Sequence, residues 1–313
     1  MGRYCVKKLI SLLPVLLGIT LAAFLLGVVS PGNPAELALS QGGYQPTEEQ
    51  IQEMEHQMGL DLPLPAQYLR WVGRALTGDL GQSYASGRPV LTELMLRLPV
   101  TLLLAGAAMA LCLGGGLALG CVAAACRGRW PDRVIGGFTA LQLSLPAFWL
   151  ALLLVLLFAE NLGWLPTSGL RSPKGILLPA LVLSWAPMAS AARLTRSALL
   201  EQLARPYCLA ARARGVSRVR LIWHNALPNA LPPVVSLLGN TLGGLLGGSV
   251  VVESIFALPG LGAYALSAVT NRDYPALQGY VLVTGLVYVA VTTGVDLISM
   301  VLDPRIRLGG KAL

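Results

Sequence analysis

The chain has 313 residues, of which 55% are hydrophobic and only 12% are charged. A water-soluble domain carries about twice that charged fraction, so the composition excludes a soluble enzyme and indicates a protein of the lipid bilayer. The net charge of +8 does not point to nucleic acid as a partner, because the basic residues stand between apolar runs. The five cysteines show no spacing typical of a disulfide framework or a zinc site.

Six apolar runs come close to the length of about 20 residues that a helix needs to cross the hydrocarbon core. They cover residues 9–29, 100–125, 134–158, 176–192, 231–252 and 277–302. The first run is too long for a cleavable signal peptide, and we interpret it as an uncleaved anchor. The expected fold class is an all-α membrane protein with six transmembrane helices.

Lys and Arg are distributed unevenly between the loops, which predicts the orientation of the spans. The N-terminus, the loops after the second and fourth spans and the C-terminal tail are rich in basic residues. Residues 30–99, in contrast, carry eight acids against four arginines. Because cytoplasmic loops accumulate Lys and Arg, we expect both termini in the cytoplasm.

The long loop after the first span has its own local order. Thr47 and Gln50 form the pattern of a capping box, which predicts a short amphipathic helix that ends near Gly59. Its apolar stripe would consist of Ile51, Met54 and Met58. His56 lies among acids and methionines, but it lacks the convergent partners that a metal site requires, so we predict no metal site here.

Chemistry-bearing motifs are absent from the sequence. It contains no phosphate-binding loop of the form G-x-x-x-x-G-K-[ST], and no nucleophile stands beside a base. We therefore expect a non-catalytic chain without a cofactor of its own, so that any ATP and Mg²⁺ would be bound by other chains.

The loop between the fourth and fifth spans is patterned as well as basic. A helix is predicted to run to about Arg214 and to end at Gly215, and a second helix is predicted to begin after Ser217 and to end before Pro228. Five residues keep the spacing of the pattern E-A-A-x3-G-x9-I-x-L-P, namely Ala210, Ala211, Gly215, Leu227 and Pro228. Leu209 and Asn225 replace its glutamate and isoleucine. Residues 207–228, called the coupling segment below, thus resemble the EAA loop of ABC import permeases.

Further short matches follow in the same order along the chain, at residues 31–34, 59–68, 78–83, 253–262, 272–275 and 303–307. Together they resemble the dipeptide, oligopeptide and nickel permease family of ABC importers. The resemblance implies a type I ABC importer permease fold in a bacterial inner membrane. It also implies a transmembrane anchor at 1–29, an extracytoplasmic subdomain at 30–98, a permease core at 99–302 and a cytoplasmic tail at 303–313.

The same resemblance implies a role and a set of partners. The chain would form half of a translocation pathway, and a second permease subunit would form the other half. In this family the second subunit is usually a paralogue. Two ATP-binding subunits and an extracytoplasmic solute-binding protein would complete the transporter. A helix from Ala211 to about Trp223 would lie in a groove of the ATPase, with Gly215 setting its bend.

Four residues are candidates for the pathway or its gate: Glu253, Asp296, Gly243 and Gly247. An acid inside a span is costly unless it is paired or hydrated, and for Asp296 we favour pairing with cytoplasmic arginines. Glu253 is assigned to an outside loop, where it would seat a binding protein or form a gate. The four-residue spacing of glycines in the fifth span favours tight helix packing over pathway lining.

Residues 85–90 and 271–275 are similar to nickel-transport permeases, so the sequence favours nickel or a nickel chelate as cargo, with di- or oligopeptides as the alternative. Other classes fit less well. An ion channel would need a selectivity ring, an ion-coupled carrier would need paired intramembrane acids, and a membrane enzyme would need an acid, base or metal cluster at one depth.

Overall fold

The computed structural model describes residues 2–29, 31–40 and 45–302, and the regular elements within these ranges are helices. The α-helices are α1 (Gly2–Val29), α2 (Pro34–Leu39), α3 (Glu48–Met58), α4 (Leu64–Leu76), α5 (Val90–Ala125), α6 (Trp130–Ser144), α7 (Ala147–Leu154), α8 (Leu177–Leu203), α9 (Pro206–Ala213), α10 (Arg218–Arg220), α11 (Leu227–Ile255), α12 (Leu261–Thr270) and α13 (Tyr274–Leu302). Two π-helical segments, Val155–Asn161 and Leu221–Ala226, and one 3₁₀ segment, Pro173–Ile176, continue neighbouring helices. The predicted tail at 303–313 lies outside the described residues.

The apolar helices confirm the predicted all-α membrane fold. Within the described part of the chain, five helices are long and apolar enough to cross a bilayer, and the pair α6 and α7 adds a sixth if it forms one span. Several helices are longer than predicted: α5 already begins at Val90 rather than at 100, and α8 continues to Leu203 rather than ending at 192. Hydropathy marks the apolar part of a helix, whereas the helix continues through polar turns at its ends.

The third predicted span is not one straight helix. The axis of α6 differs by 106° from the axis of Ala147–Asn161, which consists of α7 and the π-helical segment after it. Leu145 has an extended backbone, with φ −86° and ψ 125°, and Pro146 follows it. The ring of a proline disfavours helical geometry in the preceding residue, so Pro146 separates two helices. The predicted span at 134–158 therefore contains two helices that meet at a bend.

The chain divides into two compact units. The first unit consists of Met1–Val100 and Pro259–Val289, and the second of Thr101–Leu258 and Ala290–Leu313. The core of the first unit is an apolar cluster that includes Ala23, Leu80, Val90, Leu94, Leu261, Ala268 and Ala276. It joins α1, α5, α12 and α13 to the loop that precedes α5.

Within the first unit, α3 has the predicted capping box. The Thr47 side chain accepts a hydrogen bond from the Gln50 backbone at 3.4 Å, and the Gln50 side chain accepts one from the Thr47 backbone at 3.0 Å. Gly59 ends the helix with φ +73°, a left-handed geometry that glycine adopts at little cost. Both helix ends were predictable because short-range chemistry decides them.

The second unit is held together by close packing of α5 on α8. A Cβ atom added at Gly116 would lie 2.6 Å from the Ala191 Cβ, and one added at Gly120 would lie 2.7 Å from the Ala192 carbonyl oxygen. The two glycines are four residues apart, which places both on the face of α5 that meets α8. This stripe was not predicted, since close packing of glycines was expected only in the fifth span.

An ion pair joins α6 to α8 in the same unit. The Arg196 guanidinium donates two hydrogen bonds to the Asp132 carboxylate, at 2.7 and 2.9 Å. Asp132 also accepts from the Gly128 backbone at 2.9 Å, which ties the turn before α6 to the pair. Arg196, at the predicted cytoplasmic end of the fourth span, is therefore paired with Asp132 within the protein.

Candidate coupling site

The coupling segment begins with α9 and a sharp turn. Pro206 occupies the first turn of α9, where its missing N–H would have no helical partner. The Gly215 N–H donates to the Arg212 carbonyl at 3.0 Å, and the Val216 N–H donates to the Ala211 carbonyl at 3.3 Å. With Gly215 at φ +81°, this pair of bonds is a Schellman motif. The helix ends one residue earlier than predicted, at Ala213.

Beyond the turn, a helical stretch begins after Ser217, as predicted, but it does not end before Pro228. Ser217 precedes α10, but its side chain makes no capping hydrogen bond. The π-helical segment Leu221–Ala226 follows and leads directly into α11, so no helix ends before Pro228. Pro228 instead lies at the start of α11, directly after the π-helical segment. The predicted single helix from Ala211 to Trp223 is likewise wrong, because the turn at Gly215 interrupts it.

One side of the coupling segment is buried in the second unit. Cys208 and Ala211 of α9 are each 1% exposed, and they pack in one apolar cluster with α5, α8 and α11. The other members from the segment are Leu221, Ile222, Ala226 and Leu227. Of the five pattern residues, Ala211 and Leu227 thus belong to the core, whereas Ala210, Gly215 and Pro228 are exposed.

The opposite side of the segment presents apolar side chains to its surroundings. Leu209 is 53% exposed, Val219 68% and Trp223 55%. Arg212, Arg214, Arg218 and Arg220 are exposed beside them. Leu209, which stands where the family pattern has glutamate, therefore contributes apolar surface. We call Leu209, Val219 and Trp223 the outward apolar residues.

A polar contact fixes the start of α9. The Tyr207 hydroxyl donates to the Gln202 side chain at 2.9 Å, and Arg205 donates to Glu201 at 2.6 Å. Burial raises the pKa of Tyr207, and its neighbour Cys208 acts in the same direction. The hydroxyl therefore stays protonated and able to donate at neutral pH.

The candidate pathway residues lie in α11 and α13. Glu253 lies inside α11 rather than in a loop; it is fully buried, and its carboxylate accepts a hydrogen bond from Thr101 at 2.8 Å. Gly243 is half-buried, whereas Gly247 is exposed with open space around a Cβ position. Asp296 lies in α13, and its side chain lies outside the described part of the chain. The loop position predicted for Glu253 is therefore wrong, and the role of all four residues in the pathway or its gate stays a prediction.

Glycines of the fifth span are predicted to allow tight helix packing. The clearest example is Gly239, which is not one of the candidate pathway residues. A Cβ atom added at Gly239 would lie 2.5 Å from a Val295 methyl carbon, so α11 and α13 approach closely there. Gly244 has no such neighbour within 4 Å. The sequence spacing alone does not distinguish the two situations.

The two segments that resemble nickel permeases bind each other. Asp273 is 2% exposed, and its carboxylate accepts hydrogen bonds from the Ser83 hydroxyl at 2.5 Å and from the Ala85 backbone at 3.2 Å. It also accepts from the Ala276 backbone in the first turn of α13, at 3.2 Å. The residues of these two segments thus stabilise the packing of the first unit through hydrogen bonds to Asp273.

His56 does not take part in a ligand cluster. Its Nδ1 atom lies 3.8 Å from the Asp61 carboxylate, and the side chain is 85% exposed. In the described ranges, no group of three or more His, Cys, Asp or Glu side chains is arranged to hold a metal ion. Ile51, Met54 and Met58 are half-buried, as expected for the apolar stripe of α3.

Comparison with known proteins gives matches over almost the whole chain. Residues 116–308 match the family described as binding-protein-dependent transport system inner membrane component, and residues 1–105 match the description of its N-terminal part. The glutathione transport system permease protein GsiC of Escherichia coli (strain K12) is 38% identical over 307 residues, covering 98% of this chain and 99% of that protein. The protein of the same name from Salmonella paratyphi A is 39% identical with the same coverage.

Solved structures of similar fold come from two transporters. An inward-facing conformation of the MetNI methionine ABC transporter matches with a TM-score of 0.56 and 21% identity, covering 67% of this chain and 96% of that chain. An amino acid ABC transporter with histidines matches with a TM-score of 0.51 and 18% identity, covering 68% of this chain and 94% of that chain. At such identity the likeness shows the fold alone.

Proposed function

This chain belongs to the family of binding-protein-dependent transport system inner membrane components and is a permease subunit of an ABC importer; on that premise we propose that it imports small peptides of the glutathione type. The observation that carries the cargo proposal is the 38% identity over 98% of the chain to a glutathione permease. The predicted alternative, peptides, is thereby better supported than nickel.

The segments that favoured nickel do not argue against a peptide cargo. They meet at Asp273, whose carboxylate holds the Ser83 hydroxyl and the Ala85 backbone inside the first unit. A carboxylate with these bonds stabilises the packing of the protein and has no need of a metal. Similarity at such positions indicates shared architecture, and it does not discriminate between cargo classes.

The coupling segment is proposed to dock on an ATP-binding subunit. Exposed apolar side chains beside arginines are typical of a protein interface, because aromatic and apolar residues fill pockets while arginine pairs with carboxylates. Leu209, Val219 and Trp223 supply such a surface. The buried side of the segment packs on α5, α8 and α11, so a displacement of the docked surface would move these helices with it.

The remaining parts of the transporter are proposed from the family. A second permease, expected to be a paralogue, would complete the pathway, and two ATP-binding subunits would hydrolyse ATP with Mg²⁺. A solute-binding protein would deliver the cargo on the extracytoplasmic side. The chain itself would remain non-catalytic, with both termini in the cytoplasm.

The proposal is tested by uptake into cells that carry the full transporter with this chain intact, as Leu209→Arg or as Leu209→Met. Radioactive glutathione, dialanine and nickel are offered in parallel. We expect ATP-dependent uptake of glutathione that falls at least tenfold in Leu209→Arg, because a charge replaces an outward apolar residue, and that persists in Leu209→Met. Immunoblots of membranes check that all three forms are present equally.

The outcomes separate the two parts of the proposal. Uptake of nickel without glutathione would overturn the peptide cargo and restore the metal hypothesis. Glutathione uptake that is the same in Leu209→Arg as in the intact chain would contradict docking through this surface. Uptake of dialanine alone would keep the peptide class and exclude glutathione.

A further inference from the structure

The helix α4 has three distinct faces. Tyr68, Trp71 and Ala75 form one face, and Gln67, Arg70 and Arg74 form a second. Successive residues of a helix are separated by about 100°, which places Pro65, Leu69, Val72 and Leu76 on a third face, opposite the polar one. We call these four residues the outer apolar face.

The aromatic face of α4 packs on α1. The Tyr68 hydroxyl lies 2.8 Å from the Thr20 hydroxyl. The Phe24 ring stands between Tyr68 and Trp71, with ring centroids 5.5 and 6.3 Å away. These contacts fix the height of α4 along α1 at the level of Phe24.

That level lies within the apolar part of α1. By length and composition, the stretch of α1 that is suited to span the membrane is Leu12–Val29. With a rise of about 1.5 Å per residue, Phe24 lies about 7.5 Å below the end of the stretch at Val29. This depth is within the roughly 5–10 Å at which amphipathic helices insert into the boundary between headgroups and acyl chains. Although α4 follows a long polar loop, its contacts place it at the depth of lipid.

Within the described residues, most of the outer apolar face is exposed, and only Val72 is half-buried. Leu69 is 69% exposed and Leu76 is 84% exposed. Neighbouring side chains of α1, such as Leu21 at 42% and Leu25 at 42% exposed, are also open. The apolar surface of α4 therefore continues the surface that α1 presents to lipid.

The polar face of α4, in contrast, is bound to the loop above it. The Gln67 side chain donates to the carbonyls of Leu60 and Leu62 at 2.9 and 2.8 Å. Arg74 donates to Asp79 at 2.8 Å. Arginines at a membrane boundary keep their guanidinium groups in the polar layer while their stems cover apolar surface. The rotation of α4 about its own axis is thus fixed, with the outer apolar face away from the loop.

We propose that α4 is an interfacial helix whose outer apolar face contacts the acyl chains of the leaflet at the Val29 end of α1, which the charge distribution predicts to be the extracytoplasmic one. Lipid is the occupant that this surface fits, because α4 packs on a membrane span, α1, at the depth where amphipathic helices insert. The helix would anchor the extracytoplasmic loop laterally in the bilayer.

Spin labels test the proposal in the full transporter reconstituted into vesicles of phosphatidylethanolamine and phosphatidylglycerol. A chain with its cysteines replaced by alanine and shown to retain uptake carries one label, at Leu69→Cys, Leu76→Cys or, as the matched control on the polar face, Arg70→Cys. We expect oxygen to relax the first two labels more strongly than chromium oxalate does, and the order to reverse at Arg70. Exposed positions should accept the label without loss of folding.

Two results would overturn the proposal. Relaxation of all three labels by chromium oxalate would place α4 in water, and protection of the Leu69 and Leu76 labels from both reagents would show that another protein chain covers the face. If removal of the cysteines prevents folding, a benzophenone amino acid at position 69 or 70 of the unaltered chain gives the same decision. Lipid adducts at 69 and their absence at 70 are expected, whereas protein adducts at 69 would contradict the inference.

Discussion

Burial raises the pKa of Tyr84 to about 12, and the charge of Asp273 and the neighbouring Tyr274 act in the same direction. The raised pKa means that the folded state favours the protonated hydroxyl. Its contribution to stability is complete below pH 10, where an unfolded tyrosine is still neutral, and it is lost as the pH rises through 12. Two pKa units correspond to about 2.7 kcal/mol.

We therefore expect the intact chain to lose thermal stability between pH 10 and 12 by more than Tyr84→Phe does. The measurement is the unfolding temperature in detergent across this range. Tyr207→Phe serves as a control, because Tyr207 lies in the other unit and its removal leaves the titration of Tyr84 in place. Identical pH profiles for the intact chain and Tyr84→Phe would show that Tyr84 ionises as freely in the folded state as in the unfolded one.

Gly215 is constrained by its backbone and not by its neighbours. Its φ is +81°, and a Cβ atom there would meet nothing within 4 Å. Left-handed geometry costs a residue with a Cβ about 1–2 kcal/mol, least for asparagine. Gly215→Val should therefore reduce ATP-dependent uptake, whereas Gly215→Asn should retain it, as measured in the cells described above.

Gly128 provides a control for strain alone. It has φ +77° and equally open surroundings, but it lies outside the coupling segment. Gly128→Val should lower the unfolding temperature about as much as Gly215→Val and leave uptake largely intact. An equal loss of uptake in both valine variants would mean that strain anywhere in the chain is sufficient, and that the turn at Gly215 has no special part in coupling.

Among the helices, the close contact of α5 with α8 can be tested directly. Gly120→Val would bring side-chain atoms against the Ala192 carbonyl and Thr195. Overpacking of this kind costs about 1–3 kcal/mol, because backbone atoms cannot move aside as a flexible side chain would. We expect the unfolding temperature in detergent to fall by several degrees.

Gly114→Val is the matched variant on the exposed side of the same helix, where a Cβ atom meets nothing within 4 Å. It should unfold at nearly the temperature of the intact chain. If both variants lower the unfolding temperature equally, the lost stability comes from helix propensity. The close approach of α5 to α8 would then contribute nothing to stability.

Prolines show how far the elements can be predicted from the sequence. Pro146 separates α6 from α7, whereas Pro228 is accommodated within a continuous passage from the π-helical segment into α11. The difference lies in the preceding backbone: Leu145 is extended, but Leu227 is helical. Tertiary packing decides between these geometries, since Leu227 is held in an apolar cluster that no local pattern reveals.

The candidate site was predictable to a similar degree. The spacing of the pattern identified the turn at Gly215 because a left-handed glycine is a local requirement. It did not reveal that Ala211 is buried while its neighbour Ala210 is exposed, because the phase of a short helix depends on the surface on which it packs. Glycines were ambiguous for the same reason: Gly116 has a partner helix, whereas Gly247 has none within the described residues.

At the scale of the whole molecule, the predicted orientation can be measured directly. Basic residues are concentrated in alternate loops, so both ends of the chain should face the cytoplasm. Green fluorescent protein fused after residue 313 should fluoresce, and alkaline phosphatase should be active after residue 167 but inactive after residue 128. Phosphatase activity after residue 128 and none after 167 would invert the assignment and move the coupling segment away from ATP.

The half-buried coupling segment limits how the ATP-binding subunit proposed as its partner could be exchanged for another. The segment cannot be exchanged as a whole, because its buried residues Cys208, Ala211 and Ala226 pack against Cys121 and Leu199 of the spans. A transplanted loop with other side chains at these positions would weaken the packing of the helices. Only the outward positions are open to redesign. In such a chimaera, the outward half of the segment could be changed to fit another partner. The buried half would have to keep the side chains of the permease that receives it.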